Sequence, residues 1–134
     1  KMPMQTKVFI SHSTNDHAFV DRLVKRLNDD GIKTWHDDVN IGVGDPIPTS
    51  IEKGLNESQF FVAVLSKSSI KSPWVETELN VAIVKSVKKE IVIIPVLLDI
   101  NAEEMPSLIS FLKGIAFGDS NWEGSYLALK GNSR

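Results

Sequence analysis

The sequence predicts an α/β domain built as an open, doubly wound parallel sheet with helices on both faces. Two observations predict it. Short apolar segments alternate with segments of helical periodicity along all 134 residues. The runs FFVAVL (60–65) and IVIIPVLL (91–98) are also apolar throughout, rather than at every second position. Strands buried on both faces read this way, which requires helices above and below the sheet.

The elements follow in order. Lys7–Ser11 (KVFIS) reads as a buried strand, closed by the polar loop SHSTND. Asp16 or Asn15 is placed to cap the next helix, where Phe19, Val20, Leu23, Val24 and Leu27 recur at helical spacing. Gly31 suits the stop after that helix. Ile32–Trp35 is the second strand, followed by the Gly- and Pro-rich loop HDDVNIGVGDPIPT. A loop of that length inside a compact domain is uncommon and usually functional or mobile. Thr49 or Ser50 caps a helix through Ile51 and Leu55, and Phe60–Leu65 is the third strand. Ser72, with Pro73 at the first helical position, opens the next helix. Ile91–Leu98 is the fourth strand, and Pro95, which cannot donate to a ladder, is read as marking a strand end or edge. A helix over Met105–Leu112, a short strand Ile115–Phe117 and a helix Trp122–Leu129 complete the chain. The expected class is α/β, flavodoxin-like: an open parallel five-stranded sheet in the order 2-1-3-4-5.

Composition narrows the function. With 42% hydrophobic and 24% charged residues, the chain reads as one soluble globular domain over 1–134. Lys1 ahead of Met2 suggests a domain excised from a longer protein. A formal charge of −2 argues against a nucleic-acid surface. The absence of cysteine removes disulfides, thiol catalysis and thiolate zinc sites, and fits a cytoplasmic location. The longest apolar run is too short to span a bilayer, so no membrane partner is expected. His12, His17 and His36 are scattered, with no pair four residues apart, so no metal site is expected.

In such a sheet, ligands bind beyond the C-terminal strand ends where the strand order reverses, here between strands one and three. SHSTND and SKSSIKSP meet there, with the 36–49 loop beside them. At about 100° per residue, Val75, Leu79, Ala82 and Ser86 share one face of the helix after strand three, and Glu78 falls on that arc between Trp74 and Ala82. Glu76 points roughly the other way. An inward carboxylate is costly unless it is paired or faces a cleft, which singles out Glu78. Rival chemistries lack their signatures. No G-x-G-x-x-G, P-loop or nucleophile elbow is present, and Ser66 stands where a receiver domain needs its phosphoacceptor aspartate.

VFISHS, then W-H-D-D with a G-x-G-D loop, then VAVLSKSS, then S-x-W-x-x-x-E-L together resemble a TIR (Toll/interleukin-receptor) domain, microbial NAD-cleaving type, from Lys7 to about Phe117. That resemblance implies a glutamate four residues after a tryptophan as the catalytic group, matched by Trp74 and Glu78. It further implies that His12, Ser13, Asp37, Ser66 and Trp74 line the nicotinamide-ribose pocket. The implied substrate is NAD+, with no added cofactor, yielding nicotinamide and ADP-ribose or a cyclic isomer. The implied partners are other TIR domains, through self-association, and the use in microbial relatives is often antiphage defence. The alternative is a non-catalytic scaffold working through homotypic contacts of the 37–48 loop. A nucleoside deoxyribosyltransferase stands third, disfavoured by the S-x-W-x-x-x-E-L block.

Overall fold

A computed structural model describes residues 6–35, 54–71, 80, 82, 84, 88, 90–106, 109–110 and 112–132. Five parallel strands run in the order β2-β1-β3-β4-β5: β1 Lys7–Ser11, β2 Lys33–Trp35, β3 Phe60–Leu65, β4 Val92–Leu97 and β5 Ile115–Ala116. Two α-helices are described along their full length, α1 (His17–Asp29) and α2 (Trp122–Asn132). Residues 54–57, 80, 82 and 84 are also helical. The expected sheet, its order and its parallel sense are all present.

Alternation along the strands divides the core in two. Val8, Ile10, Val62, Val64, Ile94 and Val96 pack under α1 and α2, against Val20, Leu23, Leu27, Trp122, Tyr126 and Leu129. Phe9, Phe61, Ala63, Leu65, Ile93 and Leu97 face the other way, towards Leu55, Ala82, Ile100, Met105 and Ile109. Each central strand therefore buries both faces, which is why its residues are apolar without alternation. On the second face the rings of Trp35, Phe9 and Phe61 stack across three neighbouring strands. Their centroids lie 5.1 and 5.5 Å apart and the planes are within 13° and 6° of parallel.

Local signals explain the element ends. Gly31 has φ of 83°, and the N–H groups of Gly31 and Ile32 close onto the carbonyls of Asn28 and Leu27 at 3.0 and 2.9 Å. This double bond pattern ends α1, and the left-handed position is one that glycine occupies without strain. The expected cap behaves differently. Ser13 accepts from the Asn15 N–H and opens a 3-10 turn over Thr14–Asp16, while Asp16 makes no side-chain cap bond to α1.

Two further expectations are corrected. Pro95 lies inside β4, paired in register with Ala63, not at a strand end. Val92 and Leu98 donate to the carbonyls of Gln59 and Leu65 at 3.0 Å each, so even-numbered residues of β4 face β3 and odd-numbered ones face β5. Among the described residues β5 pairs only with Val96 and Leu97, so the N–H that Pro95 lacks falls where the ladder has not yet begun. Second, the described part of 105–112 is not α-helical. Asn101 opens a 3-10 turn over Ala102–Glu104, its N–H bonded to Glu104 Oε1 at 2.8 Å. Beyond it, Ile109 and Leu112 make three-residue closures onto Pro106 and Ile109.

α1 and α2 are joined at the surface by charge. Arg26 holds Glu123 through two bonds of 2.6 and 2.8 Å, and the Tyr126 hydroxyl donates to Asp30 at 2.5 Å. That hydroxyl, with Lys130 and Arg26 nearby, holds the Asp30 carboxyl below its ordinary value, and the Arg26 bonds do the same for Glu123. Groups depressed on folding stabilise above their unfolded pKa, and that stabilisation is lost as pH falls through the folded value. The thermal midpoint should therefore hold near neutrality and drop as pH falls below the ordinary carboxylate range. Glu123→Gln should flatten that drop. An identical acid profile for the variant would contradict the assignment.

Residue 54 sets a second test. A Cβ there would lie under 3.0 Å from three carbons of the Trp35 ring, which the Phe9 stack keeps from moving away. Gly54→Ala should cost about 1–3 kcal/mol in denaturant unfolding. A neutral or stabilising effect would show that the ring stack yields.

Candidate active site

The switch point lies where β1 and β3 run side by side, with Ser11 in register with Ala63. Parallel strands end on the same side, so SHSTND leaves β1 beside the loop that leaves β3. Both loops are polar yet withdrawn from solvent. Ser11, His12 and Ser13 are 1, 3 and 9% exposed, and Ser66 and Ser69 are 2 and 1% exposed. Buried polar groups are ordinarily hydrogen-bonded, and two of the bonds here, Ser66 to Asp16 and Asn15 to Ser68, run between the loops.

Ser66 is the centre of that network. Its hydroxyl donates to Asp16 Oδ2 at 2.5 Å, across 50 residues of sequence. The Ser69 N–H donates to Ser66 Oγ at 3.0 Å, and the Ser66 N–H donates to Ser69 Oγ at 2.8 Å. This reciprocal pair folds the chain back into the 3-10 turn Ser69–Lys71. A second tie joins the same loops, from Asn15 Nδ2 to Ser68 Oγ at 3.2 Å. A third reaches the end of β4, where Asp99 accepts from the Lys67 N–H at 2.8 Å. His17 contributes only locally, its Nδ1 lying 3.0 Å from the Thr14 carbonyl.

Three of the expected site residues, His12, Ser13 and Ser66, are thus brought together at the strand ends. Asp37, Trp74 and Glu78 lie outside the described residues, as do Glu76 and the whole 37–48 segment with Gly42 and Gly44. Of the stretch 72–87 after β3, residues 80, 82 and 84 are described, and all three are helical. Ala82 is fully buried, whereas Asn80 and Val84 are exposed. The burial of Ala82 is in keeping with its place on the inward arc read from the sequence. Asp16, Asn15, Ser68 and Ser69 are members of the network that sequence reasoning did not assign. Only the S-x-x-S spacing of Ser66 and Ser69 carried a local signal for them.

Comparison with known proteins extends the picture. The family described as TIR domain matches residues 8–129. An NAD(+) hydrolase, TcpA, from Theionarchaea archaeon is 37% identical over 106 residues, covering 78% of this chain and 32% of the relative. A 2′ cyclic ADP-D-ribose synthase, BtTIR, from Bacteroides thetaiotaomicron is 29% identical over 102 residues, covering 75% of this chain and 36% of the relative. The chain thus spans about a third of the length of these curated relatives. The TIR domains of the activated Roq1 resistosome, which directly recognises the pathogen effector XopQ, superpose with a TM-score of 0.64 at 24% identity. That likeness in fold covers 96% of this chain and 84% of that one. Among the described residues, no helix is long and apolar enough to cross a membrane.

Proposed function

This chain belongs to the TIR domain family, and we propose that it is an NAD+ nucleosidase that cleaves the nicotinamide–ribose bond. The observation that carries the reading is the match to relatives named for NAD+ hydrolysis and for cyclic ADP-ribose synthesis, over three quarters of the chain. The block S-P-W-V-E-T-E-L supports it, with Glu78 four residues after Trp74. Further support comes from the burial of Ala82, four residues after Glu78 in the sequence.

The chemistry needs only one carboxylate. When the bond from ribose C1′ to the pyridinium nitrogen breaks, both electrons go to nitrogen and nicotinamide leaves neutral. No general acid is required, in contrast to ordinary glycoside hydrolysis with its carboxylate pair. The protein's task is to orient the ribose and stabilise the oxocarbenium-like centre. In this reading Glu78 hydrogen-bonds the ribose diol and faces the developing cation. Trp74 supplies an aromatic wall, and His12, Ser13, Asp37 and Ser66 line the ribose pocket. Water then adds to C1′ and releases one proton, giving ADP-ribose; an internal nucleophile gives a cyclic isomer. The protein works in the cytoplasm, and antiphage defence is its proposed setting.

Glu78→Gln should abolish nicotinamide release while leaving the fold intact, and Glu76→Gln should retain activity within a few-fold. Chromatography of nicotinamide with circular dichroism checks both. A folded Glu78→Gln chain that keeps most of its activity would overturn the mechanism. Comparable loss in Glu76→Gln would overturn the helical phase.

Self-association through the 37–48 loop is the second part of the reading, with a neighbouring TIR domain completing the pocket. Specific activity should then rise more steeply than linearly with protein concentration. A bulky β-branched residue in place of Gly44 should blunt the rise. Flat specific activity from about nanomolar to micromolar concentration, with a monomer by light scattering, would decide against it.

A further inference from the structure

We propose that Asp16 is a positioning residue for this cleavage, acting through Ser66 to fix which way its hydroxyl points. The inference rests on the nucleosidase reading and assigns a role to a residue that touches no substrate. Asp16 stands at the start of α1, where an aspartate ordinarily accepts from first-turn N–H groups, and it makes no such bond. Its Oδ2 accepts instead from Ser66 Oγ at 2.5 Å. Helix capping is forgone for a bond between two loops.

Hydroxyl arithmetic gives that bond its meaning. A serine hydroxyl has one proton and two lone pairs, while a carboxylate offers lone pairs alone. The Ser66 proton is therefore committed to Asp16. One Oγ lone pair is taken by the Ser69 N–H at 3.0 Å. Towards any further group, Ser66 Oγ acts as an acceptor, strengthened by the carboxylate behind it. The NAD+ ribose presents hydroxyl donors. An acceptor on a ribose hydroxyl pushes electron density towards the ring as C1′ becomes cationic, whereas a donor on the same oxygen would withdraw it. Asp16 thus selects the polarity that favours bond cleavage. The Asn15–Ser68 bond ties the same two loops at 3.2 Å, so the loops remain joined without the carboxylate.

Steady-state kinetics of the full chain with NAD+ tests this on Asp16→Ser, Asp16→Asn, Ser66→Ala and the Asp16→Ser/Ser66→Ala double variant. Serine at 16 retains the ability to cap α1, which protects the fold, but is too short to hold Ser66. Asp16→Ser and Ser66→Ala should each lower kcat/KM about tenfold, mainly through kcat, as expected for one hydrogen bond felt in the transition state. The double variant should be no worse than Ser66→Ala, because Asp16 acts through that hydroxyl. Asp16→Asn, whose Oδ1 can accept the same proton, should restore most of the activity. An active wild type with an unaffected Asp16→Ser chain would overturn this inference alone. So would multiplicative losses in the double variant, or Asp16→Asn as impaired as Asp16→Ser. A wild-type chain that releases no nicotinamide would overturn the nucleosidase reading and this inference with it.

Discussion

The parallel ladder between β1 and β3 is the constraint on which the rest depends. The two strands are not consecutive, and β2 packs on the outer side of β1. Side-by-side parallel strands must end on the same side of the sheet. Two loops about 50 residues apart in sequence are therefore delivered to one place, where Ser66 and Asp16 bond. The ladder holds because its residues are shielded on both faces: Val8, Ile10, Val62 and Val64 by α1 and α2, and Phe9, Phe61 and Ala63 by the opposite layer. Exposure of either face would remove the hydrophobic burial that makes a parallel ladder stable.

The strand ends gather the polar side chains that this architecture brings together. Five polar residues there, Ser11, His12, Ser13, Ser66 and Ser69, are no more than 9% exposed. In a low-dielectric setting, hydrogen-bonded groups such as Ser66 and Ser69 are rigid and electrostatically strong, which suits the stabilisation of a sugar cation. The membership of the chain in the TIR family gives this cluster a chemical context. Ser66 links the two: its proton is held by Asp16 and its oxygen by Ser69.

Most of the fold was legible because its signals are local or periodic. Continuous apolar runs located β3 and β4, helical spacing located α1, and Gly31 located its end. The misread features depend on partners that pattern alone does not reveal. Pro95 suits β4 because β5 starts only opposite Val96, a fact of register. The 105–112 stretch has helical spacing, but the turn begins earlier, where Glu104 bonds the Asn101 N–H, and Pro106 follows. Asp16 reads as a cap on local grounds, and only the tertiary pairing of β1 with β3 shows its carboxylate engaged elsewhere. Of the candidate site, His12 and Ser13 lie at the end of β1 and Ser66 at the end of β3, while Asp37, Trp74 and Glu78 lie outside the described residues.

The central claim is that this domain breaks the nicotinamide–ribose bond of NAD+ unaided by a metal or second cofactor. Mass spectrometry of the wild-type chain incubated with NAD+ in the presence of a metal chelator tests it most directly. The account predicts equimolar nicotinamide and ADP-ribose, or a cyclic isomer of the same stoichiometry. Intact NAD+ after incubation at high protein concentration, with the chain folded, would contradict it.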